Sequence, residues 1–342
     1  GTLVELTTFY TICAWGLRNH TIIERSIPEF GNPEVSHNVE FSLHPIRSSR
    51  PVHIAPLALP LTGAKIARAL GTTGGSNQLL SRDGVLRNAC IIAAGAGTSV
   101  VANVDKTNAA GCELTVSELL EKPFAIFECK RVGVEQGMKK GPQTIEKAKQ
   151  GAYVARAVSA LQKIRLRDGQ FLGVIERRDH SLYKKPYAQL MREIIDDNGN
   201  YDLLREFILT VGIVSNHGNW FTAENMNKEL VVLAQSYDWL LFLTDHGLAQ
   251  FIEKLLLHPT DELSPARAAF LASYTGASGN NRFTKVKIDV AADKALRTYF
   301  TNHEDEVESW FNVIAPRHGR IVALRDDLKK LTMKDWEKAH AP

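Results

Sequence analysis

The amino-acid sequence predicts an α/β fold in which a mixed central sheet is flanked by helices. Residues 206–257 alternate two apolar, strand-like runs with two helical patterns, at a spacing typical of parallel crossovers in a sheet covered on both faces. Upstream, residues 112–116 and 124–127 are rich in residues that favour strands, and a short polar turn joins them. A hairpin added to parallel strands gives a mixed sheet.

The chain before this core, residues 1–95, is predicted to form an N-terminal arm and a helical or loop region. Its beginning has the pattern of a helix or a strand pair, whereas residues 26–62 contain six prolines and are predicted to form a loop-rich arm. A short helix is expected at residues 62–70. The glycine-rich stretches 71–77 and 95–99 complete neither a P-loop nor a dinucleotide-binding motif, so turns are expected there.

The rest of the chain is divided into a core, residues 96–260, and a C-terminal helical region, residues 261–342. A helix is expected to start near Pro142, which suits a first helical turn, and to run to about Ile164. Residues 165–205 are basic and irregular in pattern and are predicted to be an insertion in the core. In the C-terminal region, a long helix is expected at about residues 291–313.

Composition excludes several classes of protein. A chain of 342 residues with 44% hydrophobic content can bury a large core, and a net charge of +3 does not by itself indicate a nucleic-acid partner. The four cysteines form no Cys-x-x-Cys pair, which favours a reduced, cytoplasmic protein. His37, His44 and His53 fit no common zinc spacing. No apolar run is long enough to span a membrane, so no membrane partner is expected.

Two charged residues follow the strand predicted at residues 124–127. Because side chains alternate between the faces of a strand, Glu128 and Lys130 project to one side, and Phe127 and Cys129 to the other. Burying charges is costly unless they are paired or bind a metal. An ion pair at a strand end is the simpler interpretation, and a catalytic site is the other.

The predicted hairpin favours the second interpretation. A regular hairpin centred between Leu120 and Glu121 would place Glu113 directly opposite Glu128. Like charges in that position destabilise a sheet unless a cation lies between them. Mg²⁺ is the cofactor that this arrangement indicates, since it typically takes one or two carboxylates and keeps positions for water and phosphate oxygens.

An acidic residue, a hairpin, Glu-x-Lys at Glu128 and Lys130, and then a helix resemble, in this order, the PD-(D/E)XK nuclease superfamily. The sequence FECK at residues 127–130, followed by a long helix with Lys and Gln, is most similar to a type II restriction endonuclease. The resemblance covers roughly residues 100–250. It implies a restriction-endonuclease-like core that hydrolyses phosphodiesters of double-stranded DNA with Mg²⁺.

The resemblance also implies roles for particular residues. Glu113, Glu128 and Lys130 would be catalytic, and the metal would be held by the two carboxylates and the main-chain carbonyl of Cys129. The superfamily usually has Asp as its first acid, and here the register indicates Glu. Asp105, the nearest upstream Asp, would be the metal ligand instead if residues 107–111 formed a bulge or turn.

Candidate DNA contacts lie in the helix after Glu-x-Lys, just before that helix, and in a basic loop at residues 276–287. In the helix, Gln150 and Tyr153 resemble a Gln-x-x-Tyr element of some nucleases of the superfamily. An ordinary amphipathic helix and a plain surface loop are the alternative interpretations. The candidate DNA-binding residues are Lys139, Lys140, Gln143, Lys147, Gln150, Arg282 and Lys285.

The sequence therefore predicts a site-specific endonuclease of double-stranded DNA that acts as a homodimer. One chain offers one Glu-x-Lys site, and the two strands of a duplex are antiparallel, so two chains on a two-fold axis can cut both strands. A DNA-repair or junction-cleaving nuclease of the same superfamily, and a non-catalytic DNA-binding protein, are the alternatives.

Overall fold

The structure, a computed structural model, describes residues 2–108, 110–131, 142–216, 220–274 and 281–341. For residues 131, 142–145 and 147 it describes the backbone alone. The chain forms two compact units, and each is assembled from three separate segments. Unit 1 consists of Gly1–Ile23, Phe41–Pro123 and His246–Ser309, and unit 2 of Glu24–Glu40, Phe124–Asp245 and Trp310–Pro342.

The described residues form both strands and helices, numbered here in chain order. The strands are β1 (Thr21–Glu29), β2 (Asn32–Leu43), β3 (Ile46–Ile54), β4 (Leu61–Thr62), β5 (Gln78–Leu80), β6 (Val85–Arg87), β7 (Cys90–Gly95), β8 (Thr98–Asn108), β9 (Gly111–Leu120), β10 (Ala125–Arg131), β11 (Gln162–Arg165), β12 (Phe171–Glu176), β13 (Leu182–Pro186), β14 (Leu209–Ser215), β15 (Trp239–Leu243), β16 (Lys287–Asp289) and β17 (Phe311–Ala315). The helices are α1 (Thr2–Ala14), α2 (Gly63–Ala69), α3 (Pro142–Ala157), α4 (Tyr187–Asp196), α5 (Tyr201–Leu204), α6 (Lys228–Ala234), α7 (Asp245–Ile252), α8 (Ser264–Tyr274), α9 (Val290–Asn302), α10 (Glu304–Ser309), α11 (Ile321–Thr332) and α12 (Trp336–His340).

The central sheet of unit 2 is mixed and has six strands, in the order β1-β2-β10-β14-β15-β17. Strands β10, β14 and β15 are parallel neighbours, and β17 is antiparallel to β15. The central strands β14 and β15 are buried almost throughout, as their continuous apolar sequences predict. The predicted α/β class and mixed sheet are confirmed.

Helix α3 covers the face of this sheet on which Glu128 lies. The helix begins at Pro142, as predicted, but it ends at Ala157 and not near Ile164, where β11 lies instead. Its buried stripe, Ala148, Ala152 and Ala155, follows helical spacing. Small side chains in this stripe let the helix lie close to the sheet. The Glu128 side chain is therefore buried between the sheet and α3.

Unit 1 contains two four-stranded sheets, ordered β3-β9-β8-β7 and β16-β6-β5-β4. In the first of them, β9 pairs antiparallel with β3 on one side and with β8 on the other. Helix α1 is buried against α9, where the Tyr10 hydroxyl donates to the Asp293 carboxylate at 3.0 Å. No helix in the described ranges combines the length and the apolar character needed to cross a membrane.

Several predicted elements were wrong. Most of residues 26–62 belong to β1, β2 and β3 and do not form a loop-rich arm. Pro28 and Pro51 are tolerated because β1 and β3 lie at sheet edges, where a missing N–H breaks no ladder. The single helix expected at residues 291–313 is divided into α9 and α10, and its last residues belong to β17, which pairs with β15 at the edge of the sheet.

The division of the chain also differs from the prediction. The two units do not follow the expected boundaries at 95/96 and 260/261, since each takes residues from the beginning, middle and end of the chain. The insertion predicted at residues 165–205 is ordered. It contains most of a small antiparallel sheet, β11-β12-β13, together with α4.

Candidate functional site

An open cleft of about 630 Å³ lies in unit 2 where β2, β10 and α3 meet. Glu128 and Lys130 project into it from β10, on the face that α3 covers. Its polar lining includes His37, Glu128, Lys130, Lys149, Gln150 and Tyr153. The structure therefore brings together the predicted Glu-x-Lys pair and both ends of the Gln-x-x-Tyr element.

Glu128 is a buried carboxylate with one satisfied oxygen. Its Oε2 lies 2.8 Å from the Lys130 ammonium, whose side chain is 33% exposed against 2% for Glu128. Its Oε1 is buried without a hydrogen-bond partner among the described residues. Burial raises the pKa of Glu128, and the Lys130 ammonium and His37 oppose that rise. An unpaired carboxylate oxygen in a buried position is costly, and a bound cation would remove that cost.

Tyr237, which sequence reasoning did not identify, lies on the same face of the sheet. Its ring covers Gly212, the residue in register with Glu128: a Cβ at Gly212 would lie 3.0 Å from Tyr237 Cδ2. Its hydroxyl approaches Gly151 of α3, where a Cβ would lie 3.2 Å from Tyr237 Oη and 3.7 Å from Lys130 Cε. Glycine at both positions therefore permits the close approach of ring, helix and lysine.

The Tyr237 hydroxyl is also buried without a hydrogen-bond partner in the described part of the chain. Burial raises its pKa well above the usual value, and the nearby Glu128 carboxylate adds to the rise. The hydroxyl therefore stays protonated and can donate. Two buried oxygens on one face of the sheet, those of Glu128 and Tyr237, thus lack hydrogen-bond partners among the residues that the structure describes.

A second polar cluster flanks the cleft. The Tyr153 hydroxyl donates to Glu29 Oε2 at 3.0 Å, and His37 Nε2 lies 3.4 Å from the same oxygen. The His37 and Tyr153 rings meet edge to face, with 5.5 Å between centroids. Glu29 is therefore held by β2 and α3 together. Sequence reasoning missed Glu29 and His37, because finding them requires knowing that β1 and β2 pair beside β10.

The hairpin predicted to pair Glu113 with Glu128 does not form. Strands β9 and β10 belong to different sheets, so no hairpin places Glu113 opposite Glu128. Glu113 is an exposed residue of unit 1 that faces His53 on β3 and Lys106 on β8. Both edges of β9 are occupied by these strands, which leaves no edge for β10.

The alternative acid, Asp105, also lies in unit 1, at a register shift between β8 and β9. It accepts a hydrogen bond from the Thr115 hydroxyl at 2.7 Å and forms an ion pair with Arg18 at 3.5 Å. These contacts give Asp105 a structural role at the bulge. Cys129, the remaining predicted ligand, lies between Glu128 and Lys130 on β10.

The fit of Mg²⁺ to this site depends on Glu128. Magnesium needs only one or two carboxylates, because waters and substrate phosphates complete its coordination. Glu128 Oε1 provides one such oxygen. Within the described ranges, no group of three or more His, Cys, Asp or Glu side chains could hold a metal ion. The residues present thus fit an ion shared with water and phosphate, and they do not form a complete protein cage.

The predicted DNA contacts are only partly described. Gln150 lines the cleft, whereas Lys139 and Lys140 lie outside the described residues, as do the side chains of Gln143 and Lys147. Two further candidates belong to unit 1. Lys285 is 5% exposed and lies 3.2 Å from Glu5, so its burial is incompatible with the predicted DNA contact. Arg282 forms an ion pair with Asp83 at the surface of unit 1.

Comparison of this chain with protein-family models, with curated proteins and with solved structures found no match in any of the three. The likeness to the nuclease superfamily therefore rests on Glu128, Lys130 and the helix that follows them.

Proposed function

We propose that this protein is a Mg²⁺-dependent endonuclease that hydrolyses double-stranded DNA in the cleft at Glu128 and Lys130. The observation that carries the proposal is the state of the Glu128 carboxylate. One oxygen is paired with Lys130, and the other is buried without a partner among the described residues. A carboxylate in this state suits a divalent cation, and the adjacent ammonium suits a phosphate.

The residues of the cleft have distinct tasks in this reaction. A bound Mg²⁺ would supply a water of lowered pKa and would offset charge on the phosphate. Glu128 holds the negative charge that binds the ion. Lys130 is exposed enough on the cleft side to exchange its contact with Glu128 for a phosphate oxygen, where its charge would stabilise the transition state. Gln150 presents an amide at the exposed rim, suited to the sugar-phosphate backbone.

The apolar groups on the buried side of Glu128 strengthen the electrostatic interactions of the cleft. The Tyr237 ring over Gly212 and the small residues of α3 exclude water from the buried side of Glu128. Charges act more strongly in such an environment than in bulk water. The Tyr237 hydroxyl adds one donor there that is not used by any described residue.

The finer parts of the proposal are site-specific cleavage, as by a type II restriction enzyme, and a homodimer. Each chain supplies one Glu-x-Lys centre, so two chains related by a two-fold axis would cut both strands of a symmetric site. Light scattering of the protein on DNA tests this. A one-chain complex that still cuts both strands would contradict the homodimer.

The direct test is incubation of the purified protein with phage DNA in Mg²⁺ and, separately, in EDTA. Discrete fragments in Mg²⁺ alone are expected for site-specific cleavage. Smearing would indicate a nuclease without site specificity, as for repair enzymes. Intact DNA in both incubations would contradict the proposed function and favour Glu128–Lys130 as a structural ion pair.

Variants locate the activity. Glu128→Gln is expected to abolish cleavage, whereas Glu229→Gln, which changes a carboxylate of α6 outside the cleft lining, should cut like the wild type. Equal cleavage by both variants would place the active centre elsewhere.

A further inference from the structure

Two cations face each other directly across a strand pair in unit 1. Strands β16 and β6 are antiparallel, and Lys287 is in register with Arg87. Register partners of an antiparallel pair share one face of the sheet, and like charges in that position repel. Neither side chain makes a hydrogen bond or ion pair with a residue that the structure describes. The pair is therefore an unfavourable element of the free protein.

The acidic groups around this pair are engaged elsewhere. Asp83 forms an ion pair with Arg282 and also accepts a hydrogen bond from the Ser81 hydroxyl at 2.5 Å. Asp289, two residues after Lys287, caps α9 by accepting from the amides of Ala291 and Ala292. The charge of Arg87 and Lys287 is thus not compensated by either carboxylate.

The pair lies in an open pocket whose other lining groups are polar apart from Val85. This pocket has a volume of about 210 Å³, and Arg87, Lys287 and Arg282 line it together with Gln78, Ser81 and Asn281. Three cations and one carboxylate line the pocket together with side-chain amides, a hydroxyl and Val85. Such a lining complements an anion that carries several acceptor oxygens.

We propose that Arg87 and Lys287 form a second DNA contact, which binds phosphates of the duplex backbone at a distinct surface of unit 1. The choice of DNA rests on the proposed function, while the cation pair itself does not. Backbone phosphates relieve the repulsion between the two side chains and require no base contact. Arg282, predicted from the sequence as a DNA contact, belongs to this surface through its pairing with Asp83.

The test measures binding separately from cleavage. A labelled duplex is titrated with protein in EDTA, where no Mg²⁺-dependent cleavage occurs, by fluorescence anisotropy at several salt concentrations. The variant is Arg87→Gln/Lys287→Gln. Since each lost phosphate contact reduces the slope of log K against log salt by about 0.9, the double variant should lose about 1.8 of that slope. Its affinity at low salt should fall at least about tenfold.

The matched control is Arg68→Gln/Lys294→Gln, which removes the same charge from exposed positions of unit 1 outside the pocket lining. We expect it to keep most of the affinity and slope. The thermal midpoint of the test variant should not fall, since a repulsive pair is removed. If the thermal midpoint of the test variant falls, the variant Arg87→Lys is measured as well. It keeps the charge and should bind DNA like the wild type.

The outcomes separate this site from the cleft. An unchanged affinity of the double variant, an equal loss in the control, or a wild type that does not bind DNA in EDTA would each overturn the inference. Cleavage by the wild type with no effect of the double variant would leave the proposed function intact and refute the second contact. Binding that is lost in the double variant, in a protein that cuts nothing, would support the contact and refute the nuclease.

Discussion

The substitution Glu128→Gln should separate stability from activity. Breaking a fully buried ion pair costs about 3–5 kcal/mol, because the remaining charge is stranded. Here the remaining charge, Lys130, is 33% exposed and can be hydrated. We therefore expect the substitution to reduce the free energy of unfolding by less than about 1 kcal/mol in EDTA at neutral pH. Urea denaturation measures this value.

The difference in free energy of unfolding between the wild type and Glu128→Gln should depend on pH with a definite sign. Burial raises the pKa of Glu128 in the folded protein, so the folded state holds its proton more tightly than the unfolded state does. This contribution to stability is present at acid pH and is lost as the pH rises through the raised pKa. Wild-type stability should therefore fall relative to Glu128→Gln between acid and neutral pH.

Mg²⁺ should widen the difference in stability between the wild type and Glu128→Gln. A ligand at 100 times its dissociation constant stabilises the folded state by about 2.7 kcal/mol, which corresponds to a rise of about 5–10 °C in the thermal midpoint of a domain of ordinary size. We expect this rise in the wild type and its absence in Glu128→Gln. A wild-type midpoint that does not respond to Mg²⁺, or a response equal in both proteins, would refute the assignment of Glu128 as the metal ligand.

Three other substitutions test the roles of Lys130, Gly212 and Glu113. Lys130→Ala should lower the cleavage rate by about 10²–10³-fold while binding in EDTA survives, with Lys228→Ala as the exposed control; a near wild-type rate would remove Lys130 from the reaction. Gly212→Ala should lower the free energy of unfolding in urea by about 1–3 kcal/mol, since its Cβ would lie 2.8 Å from a Leu240 methyl group, and an unchanged value would show that the ring and leucine can move. Glu113→Gln should keep cleavage activity, because β9 does not pair with β10; abolished cleavage would return Glu113 to the site.

The sequence predicted features that depend on neighbouring residues. The start of α3 at Pro142 and the apolar strands β14 and β15 all follow from the local sequence. The placement of Glu128 and Lys130 on one face of a strand follows from the same rule. The pair therefore occupies a cleft beside the helix that follows it in the sequence.

The partners of each strand could not be obtained in this way. Strands β9 and β10 are adjacent in sequence, which favoured a hairpin, yet β10 pairs with β2 and β14. Strand pattern fixes which residues share a face but does not fix which strand lies alongside. Tyr237 and His37 were missed for this reason, since each reaches the site from an element that is distant along the chain.

The assembly of each unit from three segments has a consequence for biosynthesis. During translation, unit 1 is incomplete until Ser309 has emerged from the ribosome, and unit 2 still lacks β17 at that moment. Strand β15, with the sequence WLLFL, then has an unpaired apolar edge. Such edges pair readily with other chains. A nascent or truncated chain that ends before Phe311 is therefore expected to require a chaperone or to aggregate, whereas the full chain protects this edge with its own last strand.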